Sequence, residues 1–178
     1  MRKYTTVEAA LTAVSEDGLA LRDVPEDLKT AEVCMAAVRE YGQALAFVPA
    51  ERRTGEVCLE AVRQDGRALK FVPAMMKTEE VCIEAVRQCG RALKIVPERL
   101  KTPEVCIEAV TQRGLSLEDV PVPMRSAEIC TTAVRQHPSA MQFVPVRHRE
   151  AVRTALEQET AAFTESEVAE PETDAPRP

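Results

Sequence analysis

An all-α solenoid is the fold class this sequence predicts, and three observations predict it. One 24-residue unit repeats six times from Thr6 to Arg149 without insertion or deletion. Each unit opens on a hydroxyl residue followed by apolar residues at helical spacing. Each reaches a Val-Pro pair after a second, shorter apolar stretch. Self-similarity at a fixed short period marks an array in which each unit stacks only on its neighbours. The units are 6–29, 30–53, 54–77, 78–101, 102–125 and 126–149, and with a capping helix at 150–156 the array spans 6–156. The architecture expected is helix, turn and short helix in every unit.

Numbered from 1 to 24, the unit explains its own elements. Position 1 is Thr6, Thr30, Thr54, Thr78, Thr102 or Ser126. A hydroxyl there caps a helix by accepting a bond from an orphan backbone N–H. Position 3 is Glu throughout, which suits the positive end of a helix dipole. Pro103 stands at a first helical position, where its missing N–H is harmless. Positions 4, 5, 8 and 9 are apolar, as in Val57, Cys58, Ala61 and Val62, and position 6 (Leu59) widens the same face. Position 13 is Gly in five units, read here as the left-handed residue that ends a helix running from position 2 to 12.

The second half of the unit carries Leu or Met at position 16 and Val-Pro at 19 and 20. The proline drives the preceding Val out of the α region, so any second helix is short, with a final turn suited to 3₁₀ geometry. Positions 14 and 18 exchange character: Leu19 goes with Asp23, whereas Arg67 goes with Phe71 and Arg91 with Ile95. Residues four apart are helix neighbours, so one apolar side chain per unit is expected to fill the same region. Positions 14, 16 and 18 would equally share one face of a strand. An α/β solenoid with one short strand per repeat is therefore the alternative fold.

The ends depart from the pattern. Ala10 replaces the recurrent Cys in the first unit, and Pro138 replaces the Gly in the sixth. Atypical terminal units fit a capping role. Residues 157–178 hold seven acids and one base, a net −6 that equals the charge of the whole chain. The body is thus neutral, and the acidic tail is expected to be disordered. No run approaches the roughly 20 apolar residues of a membrane span, and the N-terminus lacks a signal-peptide core. A cytoplasmic, monomeric protein with no membrane association is expected.

The string K-T-x-E-V-C-x-x-A-V-x-x-x-G-x-A-L-x-x-V-P, clearest from Lys77 to Pro97, resembles a bacterial repeat family known as a domain of unknown function (number 4116). The resemblance covers residues 6–149. It implies a tandem array of short helical hairpins and carries over no catalytic or binding residue.

Chemistry is sparse. Cys34, Cys58, Cys82, Cys106 and Cys130 fall at position 5 with none of the close pairing that a metal site needs. Stacked helices lie roughly 9–10 Å apart, beyond disulfide reach, so these thiols read as small buried hydrophobes. Cys89, at position 12, is the candidate reactive thiol. The two histidines lie in the degenerate last unit, and repeated Glu residues do not make a single acid–base pair. No enzyme activity, metal or cofactor is expected. Basic residues at positions 10, 14, 17 and 24 become stripes in a stack; those at 24 read as solvated links or partners of Glu. The polar, variable positions of the middle units, Arg63, Arg67, Lys70, Arg87, Arg91 and Lys94, are the candidate contact residues. The expected function is a protein-interaction scaffold or adaptor, binding an acidic or extended partner segment along one face. The alternative is nucleic-acid binding along the same stripe. Few aromatics, at 3%, are available to stack bases.

Overall fold

A computed structural model of the chain describes residues 3–168, with side chains described as far as residue 161. Among the described residues there is no strand, so the helical reading holds over the strand alternative. The first helices of the six units are α1 (Val7–Glu16), α2 (Ala31–Glu40), α3 (Gly55–Gln64), α4 (Glu79–Gln88), α5 (Pro103–Gln112) and α6 (Ala127–Gln136). Each packs on the next in chain order, as an array requires. The hydroxyl at position 1 caps each of them. Thr30 Oγ1 accepts from the Val33 N–H at 3.2 Å, Thr102 Oγ1 from Val105 at 3.3 Å and Ser126 Oγ from Ile129 at 3.2 Å.

The helix end corrects the sequence reading. These helices stop at position 11, one residue earlier than expected, because position 12 turns extended; Asp65, for example, has φ −145° and ψ 111°. No glycine among the described residues has a positive φ, so position 13 is not a left-handed stop. Its glycine serves close packing instead. A β-carbon on Gly90 would lie 2.6 Å from the Ala109 carbonyl oxygen, and one on Gly18 would lie 2.5 Å from that of Ala37. The clash is always with position 8 of the following unit, so the glycine lets consecutive units approach backbone to backbone. The same junction is tied by position 11. Gln64 Oε1 accepts from the Gly42 N–H at 2.6 Å, and Gln64 Nε2 donates to the Glu40 carbonyl at 3.1 Å. Gln112 and Gln136 accept likewise from Gly90 and Gly114, at 2.9 and 2.5 Å.

The second half of each unit is 3₁₀ throughout. A six-residue 3₁₀ helix fills positions 13 to 18, as in Gly66–Phe71 and Gly90–Ile95. With three residues per turn, positions 13, 16 and 19 share one face. That face is the buried one: Leu69 is fully buried and Val72 nearly so. Each fully buried Leu contributes roughly 1.5–3 kcal/mol of transfer free energy. The α-helical spacing expected to bring positions 14 and 18 to the same region is absent, because residues four apart lie a third of a turn from one another in a 3₁₀ helix. Leu19 and Ile95 are substantially exposed, and Phe47, Phe71 and Phe143 are half-buried. The Val-Pro corner is extended, and a three-residue 3₁₀ turn beyond it, such as Glu98–Leu100, was not foreseen.

The cap at the far end is longer than residues 150–156. Helix α7 runs Val146–Val168 and packs on α6, with Val152 fully buried. The first part of the segment expected to be disordered is therefore helical, and Glu159 within it accepts from Arg135 Nε at 2.8 Å. The remainder of that expectation, residues 169–178, lies outside the described residues. No helix among the described residues is long and apolar enough to cross a membrane.

Candidate functional site

Eclipsed 3₁₀ geometry, with i and i+3 on one line, places positions 14 and 17 on a single exposed ridge. In units three and four both are cationic: Arg67 with Lys70, and Arg91 with Lys94. Stacking sets the two ridges side by side. They enclose a groove of about 520 Å³ lined by Arg67, Lys70, Arg91, Ala92, Lys94 and Ile95. Four cations thus surround an apolar floor. None of the four is ion-paired among the described residues.

Unit three's wall is held in place by a chain of contacts. The Lys70 ammonium lies 4.6 Å from the Phe71 ring centroid and donates to Gln43 Oε1 at 3.2 Å. Gln43 Nε2 in turn donates to Asp65 Oδ2 at 2.7 Å, and Asp65 Oδ1 accepts from the Arg67 N–H at 2.9 Å. A second cavity, of about 330 Å³, shares Arg91 and Lys94 and adds Arg113, Glu118 and Asp119 of unit five.

Arg63 and Arg87, the other two predicted contact residues, stand apart from the groove. They sit at position 10 of the first helices, where each meets position 7 of the next unit. Arg39 Nε reaches Glu60 at 3.2 Å, Arg63 Nε reaches Glu84 at 3.5 Å, and an Arg87 amine reaches Glu108 at 3.0 Å. Arg87 also contacts Glu84 at 3.2 Å, and its hydrogen bond to Glu108 raises the guanidinium further above its ordinary value. The predicted six-residue stripe is therefore two stripes, one neutralised by carboxylates and one open.

The position-5 thiols are buried and free. Cys34 and Cys58 point their sulfurs at the position-24 carbonyls of Lys29 and Arg53, at 3.7 and 3.8 Å. Burial disfavours the thiolate, so these pKa values rise, that of Cys106 to about 11. Cys89 is half-buried at the C-terminal cap of α4, facing Gly66 of the preceding unit.

Position 24 is where sequence reasoning missed most. The expected pairing with Glu holds for Lys29, which meets Glu26 at 2.7 Å, and for Lys101, which meets Glu98 at 3.2 Å, but five of the six cations also bond backbone carbonyls. Lys29 is buried, and its ammonium donates to the Phe47 carbonyl of the next unit at 3.1 Å. Arg53 reaches Val48, Ala46 and Phe71 carbonyls at 2.9, 3.3 and 3.3 Å. Arg125 repeats the pattern on Val120, Glu118 and Phe143, at 2.9, 3.1 and 2.8 Å, and Lys101 donates to Asp119 at 3.1 Å. These side chains satisfy the carbonyls that a 3₁₀ helix leaves open at its C-terminus. The signal available was the unbroken recurrence of a cation beside a repeated Val-Pro corner. From Arg53, Lys101 and Arg125 the bonds land on groove-side strips of the stack, fixing the backbone of positions 17 and 18.

Comparison with known proteins adds one finding. A family model described as Domain of unknown function (DUF4116) matches residues 7–53 and 78–125. No curated protein and no solved structure matches the chain. Unit three, which lies between the two matched segments, has the same helix, 3₁₀ helix and 3₁₀ turn as its neighbours.

Proposed function

Because the chain belongs to the DUF4116 family, whose description carries no activity, we propose a function from the groove: a non-catalytic scaffold that holds an acidic, extended segment of a partner protein across units three and four. The observation that carries this reading is the set of four open cations around Ala92 and Ile95. Arg39, Arg63 and Arg87 meet carboxylates and Arg53 and Arg125 meet carbonyls, whereas Arg67, Arg91 and Lys94 have no such partner among the described residues and Lys70 meets only the Gln43 amide. Such a surface favours carboxylates flanking an apolar side chain, with charge setting encounter rate and register more than affinity. A reducing, cytoplasmic setting is supported by thiols used as core residues. Arg63 and Arg87 contribute to the stack and not to binding. A nucleic-acid backbone is a poorer fit, since Glu118 and Asp119 interrupt the cations one unit along.

The test is fluorescence anisotropy with a labelled nonapeptide of glutamates around a central leucine. Saturable, salt-sensitive binding, weakened roughly tenfold or more in Arg67→Gln/Arg91→Gln and unchanged in Arg63→Gln, is expected. No binding, or equal loss in both variants, would refute the reading. Preferential retention of an oligonucleotide would replace it with the nucleic-acid alternative.

A further inference from the structure

Positions 17 and 18 are Lys70-Phe71 in unit three and Lys94-Ile95 in unit four, but Glu118-Asp119 in unit five. The apolar floor and the cation are both replaced by carboxylates one repeat further on. The two cavities are neighbours, and Arg91 and Lys94 of unit four form the wall they share. Charge therefore changes across that wall, from four cations around Ile95 on one side to a mixed site holding Arg113, Glu118 and Asp119 on the other. The backbone there is fixed: Lys101 donates to the Asp119 carbonyl at 3.1 Å and Arg125 to that of Glu118 at 3.1 Å. The side-chain carboxylates of Glu118 and Asp119 are in no ion pair among the described residues. Helix-packed repeats advance roughly 9–10 Å per unit, and an extended chain advances roughly 3.3 Å per residue. Three residues of an extended ligand thus pass from one subsite to the next.

We propose that the two neighbouring cavities form one bipartite site that reads charge order: it takes a segment whose acidic block with an apolar anchor lies over units three and four, and whose basic residue, about three positions on, crosses the Arg91/Lys94 wall to meet Glu118 and Asp119. The inference rests on the acidic-segment reading and deepens it. Glu118 and Asp119 are its specificity determinants. They attract the basic end and repel a run of acids that continues into unit five, which is discrimination by an unfavourable contact as much as by a favourable one. Two neighbouring subsites of opposite charge also fix the direction in which the segment lies.

The experiment titrates full-length chain with three labelled peptides of equal length. One is an acidic block, a leucine and two lysines; the second reverses that order; the third replaces the lysines with glutamates. The wild type is expected to bind one lysine-bearing peptide about tenfold tighter than the all-acidic one and to distinguish the two orders. In Glu118→Gln/Asp119→Asn that preference should vanish or invert, with an unchanged circular-dichroism spectrum and melting temperature. These substitutions keep side-chain size and leave both backbone carbonyls in place. If the wild type binds all three equally, or the variant keeps the wild-type preference, the charge-order proposal is overturned and the acidic-segment reading survives. If no peptide with an acidic block binds, both are overturned.

Discussion

In the five units that carry glycine at position 13, a methyl group has no room there. Gly90→Ala would press a β-carbon to 2.6 Å from the Ala109 carbonyl and 2.8 Å from the Arg113 β-carbon, and should cost roughly 2 kcal/mol or more. Gly55 is the control: nothing lies within 4 Å of its would-be β-carbon at the start of α3, so Gly55→Ala should stabilise by roughly 0.4–1 kcal/mol. Ser116 offers a third sign test. Its buried hydroxyl has no hydrogen-bond partner among the described residues, and Ala20, Ala44, Ala68, Ala92 and Ala140 stand at the same place in the other units. Ser116→Ala should gain about 1 kcal/mol. Urea denaturation measures all three. The thiols add a pH effect. Burial raises the folded Cys106 pKa from 9.0 to about 11, so its stabilisation is full below about pH 9 and is lost as pH rises towards 11. The wild-type advantage over Cys106→Ala in urea midpoint should shrink over that range. Under native conditions an alkylating reagent should modify Cys89 before any position-5 thiol. The recurrence of glycine was plain in the sequence, but its reason was not. The atom that excludes a side chain belongs to the next unit, and spacing within a unit cannot reveal it.

At the scale of the element, the α-helices were legible because their signals are local. Thr or Ser caps, first-turn Glu and the apolar spacing all lie within one helix. The 3₁₀ pieces were only half legible. The Val-Pro corner announced a short second helix, yet the turn at positions 21 to 23 carries no distinctive residue. Helix α7 outruns its expected end because Val152, Leu156 and the Arg135–Glu159 bond hold it against unit six well past residue 156. The cations divide by what their elements leave unsatisfied. Arg53→Met strands three backbone carbonyls at a unit junction and should cost roughly 2–4 kcal/mol. Arg63→Met removes a half-exposed ion pair at 3.5 Å and should cost under about 1 kcal/mol. Comparable losses in the two variants, measured by thermal unfolding, would contradict the division. Sequence alone grouped both arginines as basic stripes, since the acceptors of one are backbone atoms that only the fold brings near.

For the whole molecule, the stack makes stability a sum of units and of junctions between nearest neighbours. Every junction between units sets glycine on carbonyl and α-helix on α-helix, and at four of the five a position-24 cation also reaches a carbonyl of the next unit, Lys77 being the exception among the described residues. Function, in contrast, lies where the repeats differ. The groove exists because units three and four carry Arg and Lys at positions 14 and 17, and it ends because unit five carries Glu118 and Asp119. The candidate residues were found by their variability within an otherwise fixed pattern. Their division into open and paired sets needed the structure, because the partner of each lies about one unit away. Removing a whole 24-residue unit separates stack from site. Deleting 30–53 or 78–101 leaves every remaining junction with matching parts, so both shortened chains should fold with a lower melting temperature and an unchanged helical spectrum.

Anisotropy of the labelled acidic peptide on those two chains is the most direct measurement. The chain lacking 30–53, which loses the Gln43 contact to Lys70 but keeps all four groove cations, should still bind it within roughly tenfold of the full protein, whereas the chain lacking 78–101 should not bind. Retained binding without 78–101, or loss of folding in both chains, would contradict the modular stack with its groove at units three and four.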